Sequence, residues 1–429
     1  MTRGNLLIRS ILGSVGGRIA VLIAPFLVMP VMLNYLGAHD FGIWMTAIAI
    51  TGFMQFADLG IGAGLLTKLP AAYARNDMSS LRSYVASSFA ALGVVALILL
   101  SIGLIFFFFL SSWLSPIYSI TLIAFAFSLP GSIIYRILYA TNRIVLANVW
   151  QVGGALFSIG VAFAAIHMGW SAVAVVFAYV IIAPLTMLVC TVWTMWREAE
   201  IRPKVIDIKT GVTLDLMALG WKFFVLAILT AASMNADNII IALRLGEAAV
   251  TSYAVPARIG TLLLLIVWTI GTPLWTIYGN ALSSGDRAWV WRNALLVAAL
   301  GLLAVAVAGA ILTIGIDLIM TLWMSRSFPD QHKIIVGLAA FSSMMALTAP
   351  FNMILNAAGQ VKAQIAAWAV FVPIAICVKW ALLPRLGAWA LPLVDAVLYT
   401  LLISILFFLL ARNVIRADQA SNCPDASAS

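Results

Sequence analysis

The sequence predicts an all-α integral membrane protein, with twelve transmembrane helices in two parallel six-helix repeats around a central cavity. Three observations support this fold class: the composition, a series of long apolar runs, and a similarity between the two halves of the chain. Hydrophobic residues make up 64% of the 429 residues and charged residues 9%, whereas soluble domains carry about 25% charged residues. Lipid must therefore surround most of the surface, which excludes a cytosolic enzyme, a secreted domain and a disulfide-rich scaffold.

Twelve apolar runs are long enough to form membrane-spanning helices, since a helix needs roughly 20 residues to cross a hydrocarbon core of about 30 Å. The predicted spans are residues 11–34, 42–66, 84–110, 116–139, 144–167, 171–196, 218–243, 253–279, 293–316, 334–357, 361–383 and 387–411. None of them has the short apolar core and small-residue cleavage site of a signal peptide, so we expect the first span to be retained.

The basic residues predict the orientation of these spans. Seventeen of the 24 lysines and arginines fall on the side that holds both termini, four fall on the opposite side, and Arg18, Arg258 and Lys379 lie within spans. Because cytoplasmic loops are enriched in lysine and arginine, we expect both termini in the cytoplasm. This placement also accounts for the net charge of +9, and we expect no nucleic-acid partner.

The predicted spans group into two bundles. We expect an N-terminal six-helix bundle at 1–196, a cytoplasmic linker with charges of both signs at 197–217, and a C-terminal six-helix bundle at 218–412. Residues 413–429 form a cytoplasmic tail of small and polar residues, a composition typical of disordered segments.

The two halves are similar when the chain is aligned with itself at an offset near 209 residues. The matches keep their order along the chain and place Leu36-Gly37 on Leu245-Gly246, Trp44 on Tyr253, Asp77 on Asp286, and, at an offset of 217, Ala140–Arg143 on Ala357–Gln360. Six spans per half mean that both copies enter the membrane from the same face, so the repeats are parallel. Such repeats are typical of transporters, which hold substrate between the halves and expose it alternately to either side.

Polar and charged residues within the predicted spans indicate where a substrate would bind, because such residues are costly in hydrocarbon. Most of them lie on spans one, two, seven and eight, which are repeat partners and would line a shared cavity. The substrate-binding candidates are Arg18, Gln55, Asn235, Asn238 and Arg258, and the candidates for coupling or ion pairing are Asp58, Asp237, Lys379 and Asp395.

Several of these residues also have a structural interpretation. Arg18 lies close enough to the cytoplasmic end of its span to extend to lipid phosphates, and Asp58, before a glycine-rich stretch, would brace a helix break. Asp237 lies deep in span seven, where it would serve as an ion-pair partner or a proton carrier. Lys379 and Asp395 lie near the outer ends of spans eleven and twelve, where they would pair with each other.

Local motifs indicate a family. They are Tyr35-Leu-Gly-Ala-His-Asp-Phe-Gly-Ile-Trp44 after span one, Asp58-Leu-Gly-Ile-Gly62 in span two, and Asp237 followed by Leu245-Gly246 and Tyr253. With these motifs the chain resembles the bacterial polysaccharide and O-antigen flippases of the multidrug/oligosaccharidyl-lipid/polysaccharide superfamily. The resemblance covers about residues 10–412 in length, span count and repeat.

This resemblance implies a flippase that moves undecaprenyl-pyrophosphate-linked oligosaccharide across the bacterial inner membrane by alternating access, for O-antigen or exopolysaccharide export. It also implies a cation-lined cavity for the pyrophosphate and sugar, for which Arg18 and Arg258 are the matching candidates. The expected partners are the lipid-linked oligosaccharide and membrane lipid, with a polysaccharide polymerase and a chain-length regulator as further partners. We expect a monomer.

Two other functions remain open at this point. A cation- or proton-coupled multidrug antiporter of the same superfamily shares the fold and favours acidic cavity residues, a role for which Asp58, Asp237 and Asp395 are available. A membrane enzyme such as a polysaccharide polymerase or ligase needs catalytic groups on a sizeable outer loop, and the longest outer segment, about 317–333, is short. We therefore predict a transporter with no enzymatic activity, no cofactor and no metal site.

Overall fold

The chain is helical in the computed structural model, which describes residues 3–54, 58–110, 112, 115–141, 143–198 and 200–416. Side chains are described from Phe26 onward with scattered gaps, so the side chain of Arg18 and all of Gln55 lie outside the described residues. No β-strand occurs in these ranges. The fold class predicted from the sequence, an all-α membrane protein, is confirmed.

Two compact units, residues 1–228 and 229–429, make up the chain. The helices of the first unit are α1 (Arg3–Met54), α2 (Ile61–Ala74), α3 (Met78–Phe109), α4 (Pro116–Gly131), α5 (Ile133–Ala140), α6 (Ile144–His167) and α7 (Ala172–Arg197). Helix α8 (Thr210–Leu245) begins in the first unit and continues into the second. The second unit continues with α9 (Glu247–Gly260), α10 (Leu263–Ser283), α11 (Arg287–Met324), α12 (Gln331–Ala357), α13 (Val361–Leu386), α14 (Leu391–Tyr399) and α15 (Ile405–Arg416).

Eleven helical segments among the described residues are long and apolar enough to span a membrane. The segment Phe26–Gly52 crosses a break at Gly37, where the backbone leaves the helical conformation with φ 74° and ψ 173°. This segment therefore contains parts of the first two predicted spans, 11–34 and 42–66, which accounts for a count of eleven rather than twelve.

Two boundaries differ from the sequence prediction. The linker predicted at 197–217 is helical from Thr210, where α8 begins. The apolar residues of a sequence mark where a span enters the hydrocarbon. The helix itself continues past that edge into water, so its end is not predicted by the apolar residues. The first four residues of the tail predicted at 413–429 are helical for the same reason, since α15 continues to Arg416, and residues 417–429 lie outside the described residues.

The internal repeat is visible in the backbone itself. Gly246 lies 209 residues after Gly37, and the two glycines have nearly the same conformation, with φ 86° and ψ 166° against φ 74° and ψ 173°. Residues with a side chain rarely adopt these positive φ values. A glycine is therefore required at the same point of both repeats, at the turn between the first two helices of each.

A second correspondence at the same offset is the turn that precedes α3 and α11. Asp77 accepts a hydrogen bond from the Ser80 backbone N–H at 3.0 Å, and Asp286 accepts one from the Trp289 backbone N–H at 3.2 Å. Each aspartate thereby satisfies an N–H group that the first helical turn leaves unpaired. The hydroxyl and the N–H of Ser80 lower the pKa of the Asp77 carboxyl, which favours the ionised form at the helix N-terminus.

The match at an offset of 217 residues has a structural counterpart too. The Arg143 N–H donates to the Leu138 carbonyl at 2.7 Å, and the Gln360 N–H donates to the Leu355 carbonyl at 2.9 Å. The chain thus leaves α5 and α12 through turns with the same hydrogen bond, which pairs a helix-terminal carbonyl with a later N–H. The repeat predicted from the sequence is therefore present in local backbone geometry.

Small residues allow helices to approach closely in the second unit. Gly309 of α11 faces Ala339 of α12, and a Cβ on this glycine would lie 2.5 Å from the alanine Cβ. Gly301 faces Ala346 along the same two helices. Close approach of this kind favours transmembrane helix pairs, which depend on van der Waals contact rather than on the hydrophobic effect.

The first unit has an even closer contact between two backbone segments. The turn Asp58–Gly60 precedes α2, and a Cβ on Gly60 would lie 2.7 Å from the carbonyl carbon of Gly220 on α8. A Cβ on Gly220 would in turn overlap the Gly60 carbonyl. Only two glycines fit at this contact, which fixes the start of α2 against α8.

We expect Gly220→Ala to lower the melting temperature of the purified protein in detergent, because the added methyl group must displace the Gly60 backbone at a cost of about 1–3 kcal/mol. Gly211 lies in the same helix and has no atom within 4 Å of its Cβ position. Gly211→Ala is therefore the matched control and should leave the melting temperature unchanged or raise it. Equal melting temperatures for the two variants would contradict the described contact.

Candidate functional site

Four polar side chains meet inside the second unit, and all of them are buried. The Lys379 ammonium lies between two carboxylates, with Nζ 2.6 Å from Asp237 Oδ1 and 2.5 Å from Asp395 Oδ2. The Tyr253 hydroxyl donates a hydrogen bond to Asp237 Oδ2 at 2.5 Å. Because the side chain of Lys379 is 1% exposed, these oxygens take the place of its water. We refer to Asp237, Lys379 and Asp395 as the charge triad.

The four residues come from four helices and lie at similar depths. Asp237 is eight residues before the end of α8, and Lys379 is seven residues before the end of α13. Tyr253 is six residues after the start of α9, and Asp395 is four residues after the start of α14. With a rise of 1.5 Å per residue, each side chain lies about 6–12 Å from its helix end. The turn between α8 and α9 and the turn between α13 and α14 therefore place all four side chains at a similar depth.

The charge triad carries an excess of negative charge, since two carboxylates face one ammonium. Among the described residues, Asp395 Oδ1 is buried and has no hydrogen-bond partner. A buried oxygen without a partner loses its hydration and regains nothing in return. Binding of a proton or a cation would compensate it, because isolated charge in apolar surroundings is strongly unfavourable. The charge triad is therefore a candidate carrier for a coupling ion.

The pairing of Lys379 with Asp395, which the sequence predicts, is present in the structure, and Asp237 joins it. The sequence predicts Asp237 as an ion-pair partner or a proton carrier, without naming its partner. Its two oxygens accept from Lys379 Nζ and from the Tyr253 hydroxyl. The geometry therefore groups Asp237 with the charge triad.

Arg258 lies at a helix break in the second unit. It is half-buried and comes two residues before the end of α9 at Gly260. The Thr261 hydroxyl donates to the Arg258 carbonyl at 2.7 Å, and α10 begins at Leu263. Backbone hydrogen bonds continue across this break, since the Thr261 N–H donates to the Ala257 carbonyl at 2.9 Å, so what Arg258 adds at the end of α9 is its charge.

The two asparagine candidates lie on α8. Asn235 and Asn238 are both half-buried, next to Asp237 in sequence. The Asn235 side-chain amide donates to the Ala231 carbonyl of the preceding turn at 2.9 Å. Its amide oxygen is an acceptor of the kind that binds sugar hydroxyls.

Asp58 has its partners within the first unit. Its Oδ2 accepts from Arg136 Nη2 at 2.8 Å, and its Oδ1 accepts from the Gly60 backbone N–H at 3.0 Å. The Arg136 guanidinium packs over Gly62, where any Cβ would overlap it. Both carboxylate oxygens thus brace the helix break before α2, which is the structural interpretation of Asp58.

Two residues of these clusters are absent from the candidates predicted by sequence, namely Tyr253 and Arg136. Tyr253 follows Gly246 by seven residues and Asp237 precedes it by nine, so a helical hairpin at Gly246 places the two at nearly the same depth. That symmetry was available in the sequence. The sequence places Arg136 at the membrane boundary, where the enrichment of basic residues accounts for it, and no sequence signal links it to Asp58.

A family profile described as "Polysaccharide biosynthesis protein" matches residues 7–275. The match covers more than half of the chain and includes Asp237, Tyr253 and Arg258. Comparison with curated protein sequences finds no significant match.

Solved structures of membrane transporters share the fold. A multidrug resistance MATE family transporter of the MOP superfamily, in an inward-facing conformation, is 12% identical with a TM-score of 0.79, covering 94% of this chain and 96% of that one. A MOP superfamily transporter from Pyrococcus furiosus is 13% identical with a TM-score of 0.67, covering 98% and 99%. A MATE protein in a straight conformation is 14% identical with a TM-score of 0.66, covering 97% and 96%. At these identities the likeness establishes a transporter fold.

We expect Lys379→Met to destabilise the protein strongly, because it leaves Asp237 and Asp395 as facing carboxylates with no cation. Removing one partner of a buried ion pair costs about 3–5 kcal/mol. The control is Lys333→Met, since the pair of Lys333 with Asp330 is solvent-exposed and such pairs contribute less than about 1 kcal/mol. Melting temperatures in detergent measure both effects.

The double variant Lys379→Met/Asp395→Asn should recover part of the lost stability, because asparagine removes one of the two like charges. If Lys379→Met melted at the same temperature as Lys333→Met, or if the added Asp395→Asn recovered nothing, the charge triad would not be a paired cluster.

Proposed function

The chain belongs to the polysaccharide biosynthesis protein family, and on that premise we propose that it is a flippase for undecaprenyl-pyrophosphate-linked oligosaccharide. In this role it moves the lipid-linked sugar across the bacterial inner membrane for O-antigen or exopolysaccharide export. The family match over residues 7–275 is the observation that carries the proposal, and the transporter fold supports it.

The substrate itself explains why such a protein needs charges inside its spans. Transfer of an ionised group from water into hydrocarbon costs several kcal/mol even after the surroundings relax, so a pyrophosphate does not cross the bilayer unaided. Arg258 lies within the membrane segment Glu247–Val267, and Arg18 lies in the first predicted span. Guanidinium groups bind phosphate through paired hydrogen bonds, so we assign the pyrophosphate to these two arginines, while the polyprenyl tail stays in lipid.

The sugar part of the substrate requires neutral hydrogen-bonding groups. Asn235 and Asn238 are half-buried on α8, and Gln55 belongs to the second predicted span. Side-chain amides both donate and accept hydrogen bonds, as sugar hydroxyls do. We assign the sugar contacts to these three amides, in a mechanism of alternating access.

The charge triad supplies a site for the coupling ion in this proposal. Asp395 Oδ1 is buried without a hydrogen-bond partner among the described residues, and the triad holds one carboxylate more than its ammonium balances. A proton on Asp395 would remove this excess and weaken the attraction to Lys379. Since Lys379 connects α13 to both α8 and α14, protonation would loosen the contacts among these helices.

A cation- or proton-coupled multidrug antiporter is the second candidate, and the same negative excess favours it. An acidic group that accepts a cation is what drug antiport requires, and the structural neighbours include transporters described as multidrug resistance proteins. Against this function, Lys379 already neutralises one of the two carboxylates. The flippase remains the better supported function because the family match concerns polysaccharide biosynthesis.

In cells that depend on this chain for surface polysaccharide, Arg258→Ala should lower surface polysaccharide roughly ten- to hundredfold, since a hydrogen bond to a charged group is worth about 1.5–3 kcal/mol. Arg258→Lys should recover part of it, because the ammonium keeps the charge but loses the forked geometry. Arg385→Ala is the control, since Arg385 is an exposed arginine in the last turn of α13, and it should leave the polysaccharide unchanged. Immunoblots of membranes establish equal amounts of each variant.

Full polysaccharide output from Arg18→Ala/Arg258→Ala would remove both arginines from the mechanism. An equal loss in the Arg385→Ala control would show that the defect is a general effect of removing positive charge.

A pH gradient across vesicles containing the purified protein should change the rate of flipping of a fluorescent pyrophosphate-linked lipid. Asp395→Asn should flip at a rate that no longer depends on the gradient, because asparagine does not take up a proton. Asp330→Asn, in an exposed loop pair with Lys333, should respond as the unmodified protein does. An Asp395→Asn variant with the full gradient response would exclude Asp395 as the proton carrier.

A further inference from the structure

The charge triad is nearly symmetric about its ammonium. Lys379 Nζ lies 2.6 Å from Asp237 Oδ1 and 2.5 Å from Asp395 Oδ2, and the two carboxylate side chains are 11% and 5% exposed. Because two carboxylates share one positive charge, a single added proton balances the cluster. The contacts with Lys379 do not decide which of the two carboxylates takes that proton.

One hydrogen bond breaks this symmetry. The Tyr253 hydroxyl donates to Asp237 Oδ2 at 2.5 Å, so both oxygens of Asp237 accept from a donor. Asp395 Oδ1 is buried and has no hydrogen-bond partner within the described ranges. A hydrogen bond to an ionised carboxylate favours the ionised form over the neutral one. The proton is therefore directed to Asp395, with a preference of roughly ten- to hundredfold for one hydrogen bond to a charged group.

Three helices supply the charged and titratable groups that face Asp395. They are Lys379 of α13, Asp237 of α8 and Tyr253 of α9. Helix α12 also packs against α14, but its ionisable residues His332 and Lys333 are paired with carboxylates of α11 and of the turn before α12. On α14 itself, Tyr399 packs against aromatic rings of α12 and α13. The choice between the two carboxylates thus depends on Tyr253.

The first repeat shows that packing at this position does not require a hydroxyl. The residues 209 positions before Asp237 and Tyr253 are Val28 and Trp44, and both are buried. An aromatic ring therefore occupies the position in both repeats, and the hydroxyl occurs in the repeat that has the aspartate. The indole N–H of Trp44 is buried without a hydrogen-bond partner among the residues that the structure describes, so the ring there packs without a polar contact.

We propose that Tyr253 is a positioning residue that keeps Asp237 ionised and so makes Asp395 the carboxylate that takes up the coupling proton. This inference rests on the proposed role of Asp395 as the proton carrier. The proton comes from water and binds to Asp395, which changes the charge of the triad from one negative charge to none. Asp237 stays ionised and paired with Lys379 in both states, so the contact between α8 and α13 is kept. The contact between α13 and α14 is the one that protonation weakens.

The test follows each carboxylate separately by nuclear magnetic resonance. The full chain is prepared in lipid nanodiscs with its aspartates labelled with carbon-13 at the side-chain carboxyl, whose resonance moves when the group takes up a proton. The resonances of Asp395 and Asp237 are those missing from Asp395→Asn and from Asp237→Asn. No transported substrate is needed, so the result is independent of what the protein carries.

In the unmodified protein, the Asp395 resonance should move with pH, and the Asp237 resonance should move by roughly a tenth as much or less. In Tyr253→Phe, both resonances should move over the same pH range by similar amounts, because two carboxylates with equal contacts then share the proton.

Tyr278→Phe is the matched control. The Tyr278 hydroxyl of α10 is also buried, and it donates to Asn293 Oδ1 at 3.0 Å. Both phenylalanine variants keep the ring and lose one hydroxyl hydrogen bond, so a purely structural effect would appear in both. Tyr278→Phe should titrate as the unmodified protein does.

An Asp237 resonance that stays independent of pH in Tyr253→Phe would overturn the role of Tyr253 and leave Asp395 as the proton carrier. Movement of the Asp237 resonance equal to that of Asp395 in the unmodified protein would overturn it as well. If the Asp395 resonance did not move in the unmodified protein, the proton-carrier role itself would fail, and the inference with it.

Discussion

A charge buried in a bundle that is surrounded by lipid must meet a charge of opposite sign, and this constraint organises the second unit. Lys379 meets it with two carboxylates, Asp237 and Asp395, and so connects three helices through a single ammonium. Tyr253 adds a fourth helix through its hydrogen bond to Asp237. Because loss of Lys379 would leave two carboxylates in apolar surroundings without a cation, the contacts of α8 and α14 with α13 depend on this one ammonium. The remaining negative excess makes the same contacts sensitive to a proton or a cation, as a conformational change driven by an ion requires.

The first unit meets the same constraint in a different way. Asp58 and Arg136 form a pair whose carboxylate also holds the turn before α2, and Gly62 leaves room for the guanidinium. This arrangement stabilises a helix break, so the buried Asp58 of the first unit has a structural role. The second unit instead has one buried carboxylate more than its ammonium balances. The repeat is therefore conserved in its glycine turns and aspartate caps, at Gly37 and Gly246 and at Asp77 and Asp286, but not in its buried charges.

Much of the fold follows from the sequence because composition, span length and repeat each depend on local properties. Glycine turns and capping aspartates recur at one offset and predict the repeat directly. The exact helix ends do not follow, since α8 and α15 continue past the apolar residues that define a span. In the candidate site, the Lys379–Asp395 pair follows from two charges near the ends of adjacent helices. The inclusion of Asp237 depends on contacts among helices that are distant in sequence, and the Arg136–Asp58 pair depends on the packing of α5 against α2, which the residue pattern does not specify.

The chain belongs to a polysaccharide biosynthesis family and has a transporter fold, and the choice between the proposed anionic, sugar-bearing lipid and an organic cation as substrate is the central question. Vesicles containing the purified, unmodified protein test it directly when both substrates are offered in parallel. The measurement is the appearance of undecaprenyl-pyrophosphate-linked oligosaccharide in the opposite leaflet, detected by a membrane-impermeant lectin, beside the movement of a fluorescent organic cation. We predict protein-dependent movement of the lipid-linked oligosaccharide and none of the cation. Movement of the cation without the lipid would contradict the flippase and establish the antiporter.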